Sequence, residues 1–182
     1  PHDFRQFVCL KLLGQKIDAL YAAGLRLVTI GFYGTGTAYD TYAQRPGRFS
    51  LLEKSLKSVR SRYGAEFEMQ LNYVLLKPTF TVAAVDEAWE FAKRFDMHLH
   101  VDLGGYSIPF FNNGPEESLL FSEADRPALQ AVARQLIAIK RANPARVPHT
   151  EAFFASIPDW LILQERMRVP CDAYQLLWIG AD

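Results

Sequence analysis

The sequence predicts an α/β fold with parallel strands, and three observations predict it. Strand-like runs alternate with helical runs of ten or more residues, the spacing of βαβ units. Each clear strand has one apolar face and one polar or small face: Thr29/Gly31, Glu68/Gln70/Asn72 and His98/His100/Asp102. An open parallel sheet covered on both faces gives near-continuous Val/Ile/Leu runs instead. A polar face on every strand therefore predicts a barrel or part-barrel whose inside holds a ligand cavity.

The elements follow in order. Ile17, Leu20 and Tyr21 recur at helical spacing before Gly24, which reads as a helix from Gln15 onward. The almost continuously apolar Phe7–Leu13 reads either as its start or as a strand. Leu25–Phe32 is a strand with Val28, Ile30 and Phe32 on one face. Tyr33–Gly36 is a loop, Tyr39–Gln44 a short helix, and Arg45-Pro46-Gly47 a turn. Ser50 is the expected N-cap of a helix to Tyr63, with Leu52, Leu56, Val59 and Tyr63 as its buried stripe. Phe67–Lys77 is the second strand, ended by Pro78. A helix over Val82–Phe95 buries Val85, Ala88, Trp89 and Ala92. The third strand is Met97–Leu103, its regular part His98–Leu103, and Gly104-Gly105 releases Tyr106 into a loop. A helix begins near Asp125, with Pro127 in its first turn, and runs to Arg141 before Asn143-Pro144. Two short helices, Glu151–Ser156 and Pro158–Leu163, and a strand-like Gln175–Ile179 complete the chain.

Composition excludes several classes. Lys+Arg and Asp+Glu balance at 20 each, so no basic stripe points to nucleic acid. No apolar run reaches the roughly 18 residues of a membrane span, no signal peptide is visible, and no membrane partner is expected. Cys9 and Cys171 make no disulfide framework, which fits a cytoplasmic protein. The chain starts at Pro1 without Met and stops just past a strand-like run, so it reads as a piece of a longer protein.

His98, His100 and Asp102 share the most polar strand face. They read as a metal or proton-transfer site, or as cavity lining that meets substrate, the reading we prefer because no third distant ligand stands out. Gly31-x-x-Gly34-x-Gly36 has the glycine content of a nucleotide loop but not the order, and reads as a tight loop. Lys77, at a strand end, reads as a carboxylate contact or as an ordinary exposed lysine. Trp89, Trp160 and Trp178 read as core.

Val28-Thr-Ile-Gly-Phe-Tyr-Gly34, then Asp40, then Arg45-Pro-Gly-Arg-Phe49, resembles the fourth strand and following loop of radical S-adenosylmethionine (radical SAM) enzymes. Leu71-Asn72-Tyr-Val-Leu-Leu resembles their fifth strand and Leu99-His100-Val-Asp102 their sixth. Val169-Pro-Cys171-Asp-Ala-Tyr-Gln-Leu-Leu-Trp-Ile-Gly-Ala-Asp182 is similar to the start of a SPASM extension, which carries auxiliary iron–sulfur clusters. The Cys-x3-Cys-x2-Cys motif of the catalytic [4Fe–4S] cluster is not in this sequence, and in that family it precedes the part matched here. The serine that contacts S-adenosylmethionine on the fourth strand is replaced by Gly31, and the aspartate after it by Tyr33.

The resemblance implies the second half of a (β/α)6 partial TIM-type barrel over residues 1–144, with strands near 25–32, 67–77 and 97–103. Linker helices and the beginning of a SPASM domain would occupy 145–182. It implies S-adenosylmethionine contacts at Thr29, Gly31, Asn72 and Lys77, and substrate contacts at His98, His100, Asp102 and Tyr106. Cys171 would ligate an auxiliary iron–sulfur cluster. The parent protein would modify a peptide or small-molecule substrate by hydrogen abstraction, with an electron donor for its cluster, and this chain alone would be inactive. The alternatives are a metal-dependent TIM-barrel isomerase or hydrolase using the His98/His100/Asp102 face, and a cluster-free barrel that binds a peptide.

Overall fold

Helical spacing and period-2 alternation resolve into a single parallel sheet backed by helices. The structure is a computed structural model that describes residues 5–7, 10–103 and 120–163. Its strands are β1 (Arg5–Phe7), β2 (Leu27–Phe32), β3 (Glu68–Leu75) and β4 (His98–Leu103), paired in chain order β1-β2-β3-β4 and all parallel. Among the described residues this sheet is open and no barrel closes. The helices are α1 (Leu10–Ala22), α2 (Gly36–Tyr42), α3 (Arg48–Tyr63), α4 (Val82–Arg94), α5 (Arg126–Ala142) and α6 (Glu151–Leu163). None is long and apolar enough to cross a membrane.

One core joins the sheet to its helices. Val28, Ile30, Phe32, Leu71, Tyr73, Leu99 and Val101 bury one sheet face against Leu52, Leu56 and Val59 of α3 and Val85, Ala88 and Phe91 of α4. Leu129, Val132 and Leu136 of α5 complete it. Phe32 and Phe91 pack with ring centroids 5.0 Å apart. Leu27 and Val74, the apolar residues of the opposite face, are outside this core. Consecutive parallel strands joined by crossovers of one hand stack their helices on one side, which accounts for this asymmetry.

Four local expectations are corrected. The segment Phe7–Leu13 divides: β1 ends at Phe7 and α1 begins at Leu10. Helix α3 starts at Arg48 rather than after Ser50, with Gly47 at the N-cap in the left-handed region (φ +77°). Asp40 does the capping from seven residues upstream, accepting the Gly47 and Phe49 amides at 2.6 and 2.8 Å. Those amides, Phe49 first, hold its carboxyl below the usual carboxylate range. The two short helices after Thr150 are one helix, α6, continuous through Pro158. Proline removes one helical amide, but Phe154, Ile157, Pro158, Leu161 and Ile162 are buried, and that burial keeps the turn in place. Trp89 is core, whereas Trp160 is 42% exposed.

Residues before α6 also belong to this core. Val147 is fully buried, and the Arg146 carbonyl accepts the Leu99 amide at 2.9 Å, along the outer edge of β4. Gly104–Ser107, Tyr106 among them, and the tail with Cys171, Gln175–Ile179 and Trp178 lie outside the described residues, as does Cys9.

The lower end of the sheet is held by one guanidinium. Arg60 donates to the carbonyls of Gly64, Phe67 and Phe95 at 2.6, 2.8 and 2.7 Å, and to that of Asp96. These carbonyls sit where α3 ends, where β3 begins and where α4 turns into β4. Asp96 takes a left-handed conformation there (φ +52°). Arg60→Leu leaves four carbonyls without their donor, and we expect a loss of about 3 kcal/mol or more in urea unfolding. Arg60→Lys should recover only part of it, because an ammonium cannot reproduce the planar fork.

Candidate functional site

Parallel register lines up the polar residues of three strands. Thr29, Gln70 and His98 are Cα partners in one row, and Gly31, Asn72 and His100 in the next. Val74 pairs with Asp102 in the third, at the upper end of the sheet. Thr29 and Asn72 are buried, at 7% and 5% exposure. The Asn72 carbonyl oxygen is buried and finds no hydrogen-bond donor among the described residues. Leaving such a group unmet costs about 1–3 kcal/mol. This face therefore carries a demand for a donor that none of the described residues supplies.

Tyr33 extends from the upper end of β2 and folds back over this row. A Cβ built on Gly31 would lie 3.0 Å from the Tyr33 hydroxyl. A side chain at 31 would crowd the ring and make it shift. The ring stacks on Tyr42 of α2 with centroids 3.7 Å apart and planes 14° apart. Burial, followed by the neighbouring Tyr42 and Asp102, raises the Tyr33 phenol above its ordinary value, so it stays protonated and can donate.

The far edge of the site is closed by a residue that sequence reading did not single out. His149 Nε2 accepts the Val101 amide at 3.0 Å. Its neutral form therefore carries its proton on Nδ1. The ring stacks on Phe153 at 4.5 Å and lies 4.3 Å from the His100 ring. Burial first, then the charges of His100 and Lys140, lowers its pKa to about 4. A lone histidine after a proline has no sequence signal. Only the fold brings it 48 residues back to the β4 edge.

The remaining predicted residues divide. His98 and Asp102 are exposed on the polar face. Lys77 is drawn to Asp125, 3.3 Å away, in the turn before α5. That ion pair joins the end of β3 to the turn before α5. Thr79 shapes the same corner: its hydroxyl donates to the Val74 carbonyl and accepts the Leu76 amide, both at 2.9 Å. No group of three or more His, Cys, Asp or Glu side chains with metal-binding placement occurs among the described residues. A separate open cavity of about 530 Å³ lies beside α4, lined by Thr35, Glu87, Glu90, Lys93 and Arg94. Its charges are already engaged: Glu87 with Thr35, Lys93 with Glu90, Arg94 with Glu53. The sheet face, with its unmet carbonyl, is the stronger site.

The chain matches no protein-family profile, no curated protein and no solved structure.

His149 makes stability pH-dependent. Its folded pKa lies below its ordinary 6.5, so the unfolded chain binds the extra proton. Its contribution is complete above pH 6.5, falls as pH drops toward about 4, and is gone below that. Asp18, Asp40, Asp125 and Glu151, all lowered, lose theirs only further down, below 4.5. A melting series should therefore decline between pH 6.5 and 4.5 in the wild type. His149→Gln, which keeps an acceptor for Val101, should be flat over that interval; an equal decline in both would remove His149 as the cause.

Proposed function

We propose that this chain is the second half of a (β/α)6 partial barrel of the radical SAM type, and that its polar sheet face holds S-adenosylmethionine. The observation that carries the reading is the sheet itself. Parallel strands run in chain order, the helices share one face, and the opposite face gathers Thr29, Asn72, His100 and Asp102. Sites in α/β folds of this kind lie at the upper strand ends. The sequence resemblance names the ligand.

The residues fit S-adenosylmethionine in part. The ligand carries amino and hydroxyl donors, and Asn72 offers a buried carbonyl that lacks one among the described residues. Thr29 adds a hydroxyl on the same face. Lys77 at the end of β3 is paired with Asp125 at 3.3 Å. The residues of this chain do not fit the catalytic [4Fe–4S] cluster, since its two cysteines are 162 positions apart. Cys171 supplies a single thiolate toward an auxiliary cluster in a SPASM domain that begins in this tail.

The cofactor pair supplies hydrogen abstraction by reductive cleavage of S-adenosylmethionine. This chain's own residues do other work. Thr29 and Asn72 orient the ligand, and His98, His100 and Asp102 face a peptide or small-molecule substrate. The packed helical face keeps water from the back of the site.

The test uses the full-length protein, purified without oxygen and reconstituted with iron and sulfide. It should bind S-adenosylmethionine and, with a reductant, release 5′-deoxyadenosine. Asn72→Leu should weaken that binding about tenfold or more. Cys171→Ala should lower iron content by one cluster and leave the other. Protein that takes up no iron and does not bind S-adenosylmethionine overturns the reading.

A further inference from the structure

We infer that Tyr33 is a ligand-binding residue, its phenol lying across Gly31 so that it and the Asn72 carbonyl together hold one hydroxyl or amino group of the ligand. The assignment rests on the S-adenosylmethionine reading of this face and adds a contact to it.

The argument starts from Gly31. Its φ is not in the left-handed region, so its backbone does not call for glycine. What calls for it is space, since a methyl at this position would meet the Tyr33 hydroxyl at 3.0 Å and its ring at 3.3 and 3.4 Å. The absence of a side chain at 31 therefore serves to let the phenol lie on the sheet. Gly31 and Asn72 are Cα partners on adjacent strands, which stand about 4.8 Å apart. The phenol oxygen thus sits over the same row as the unmet Asn72 carbonyl.

The two groups complement each other without satisfying each other. Asn72 presents an acceptor that has no donor among the described residues. Tyr33 presents a hydroxyl that both donates and accepts, so beside its hydrogen bond with Tyr42 it can still meet a ligand group. A ligand hydroxyl or amino group between them donates to Asn72 and exchanges a second hydrogen bond with Tyr33. The ring is held for this role, stacked on Tyr42 from one side, with Tyr39 6.2 Å away.

Two substitutions test the contact without emptying the site. Tyr33→Phe keeps the ring and the stack and removes only the hydroxyl. Gly31→Ala keeps the hydroxyl and displaces it. The full-length protein and both variants are titrated with S-adenosylmethionine by calorimetry, with melting temperature as the check on folding. Each variant should bind about tenfold more weakly, Tyr33→Phe at an unchanged melting temperature and Gly31→Ala as a folded protein that still melts cooperatively. The double variant should be no weaker than Tyr33→Phe alone, because both changes remove the same contact. Wild-type affinity in Tyr33→Phe, with binding lost in Asn72→Leu, overturns this assignment and leaves the S-adenosylmethionine reading standing. Wild-type protein that does not bind S-adenosylmethionine overturns both.

Discussion

Parallel strands taken in chain order can be joined only by crossovers, and crossovers of one hand put every connecting helix on one face. Most of this structure follows from that constraint. The strands must alternate, because only one face meets helices. The helices need one apolar stripe each, which α3, α4 and α5 have. The opposite face is released from the core and can carry Gln70, Asn72, His98 and His100 without competing with packing.

The two ends of the sheet then take different tasks. At the lower end Arg60 gathers the carbonyls at the starts of β3 and β4, a purely structural use of charge. At the upper end the turns are fixed by short local devices: Thr79 closing β3, Asp40 holding the loop after α2, Lys77 tying β3 to the turn before α5. Tyr33 grows from the same end. Stability concentrated below and polar groups presented above is the division expected of strand–helix repeats whose loops do the chemistry.

Legibility followed the range of the interactions. Strand β4 was readable to its limits because His98–Leu103 alternates without a break, and α4 and α5 because their apolar stripes are regular. The start of α3 was misread because its cap is a side chain seven residues away, not the adjacent serine. The continuity of α6 through Pro158 was hidden because local propensity argues against it, and only burial against α5 reverses that balance. On the polar face, Asn72, His100 and Asp102 were visible from alternation alone. Tyr33 and His149 were not, since one is defined by what lies beneath it and the other by a strand edge 48 residues earlier. Lys77 had the right position for a ligand contact, yet Asp125, far along the chain, claims it.

The energetics of Asn72 separate a scaffold from a site. Its neighbours on β3, Leu71 and Tyr73, are as buried as it is and fully served: Leu71 by the core and Tyr73 by a bond from its hydroxyl to the Thr79 carbonyl. A leucine at position 72 would avoid the cost of about 1–3 kcal/mol that an unmet carbonyl carries. A sequence shaped for stability alone has no reason to keep the amide. The same holds one strand over, where Gly31 gives up a side chain and its packing so that a phenol can lie on the sheet. Both departures from local optimum fall in one row, at one end of the polar face, beside a histidine held in place from the other edge. Places where local rules are broken together, while the surrounding elements obey them, are where binding has been put ahead of folding.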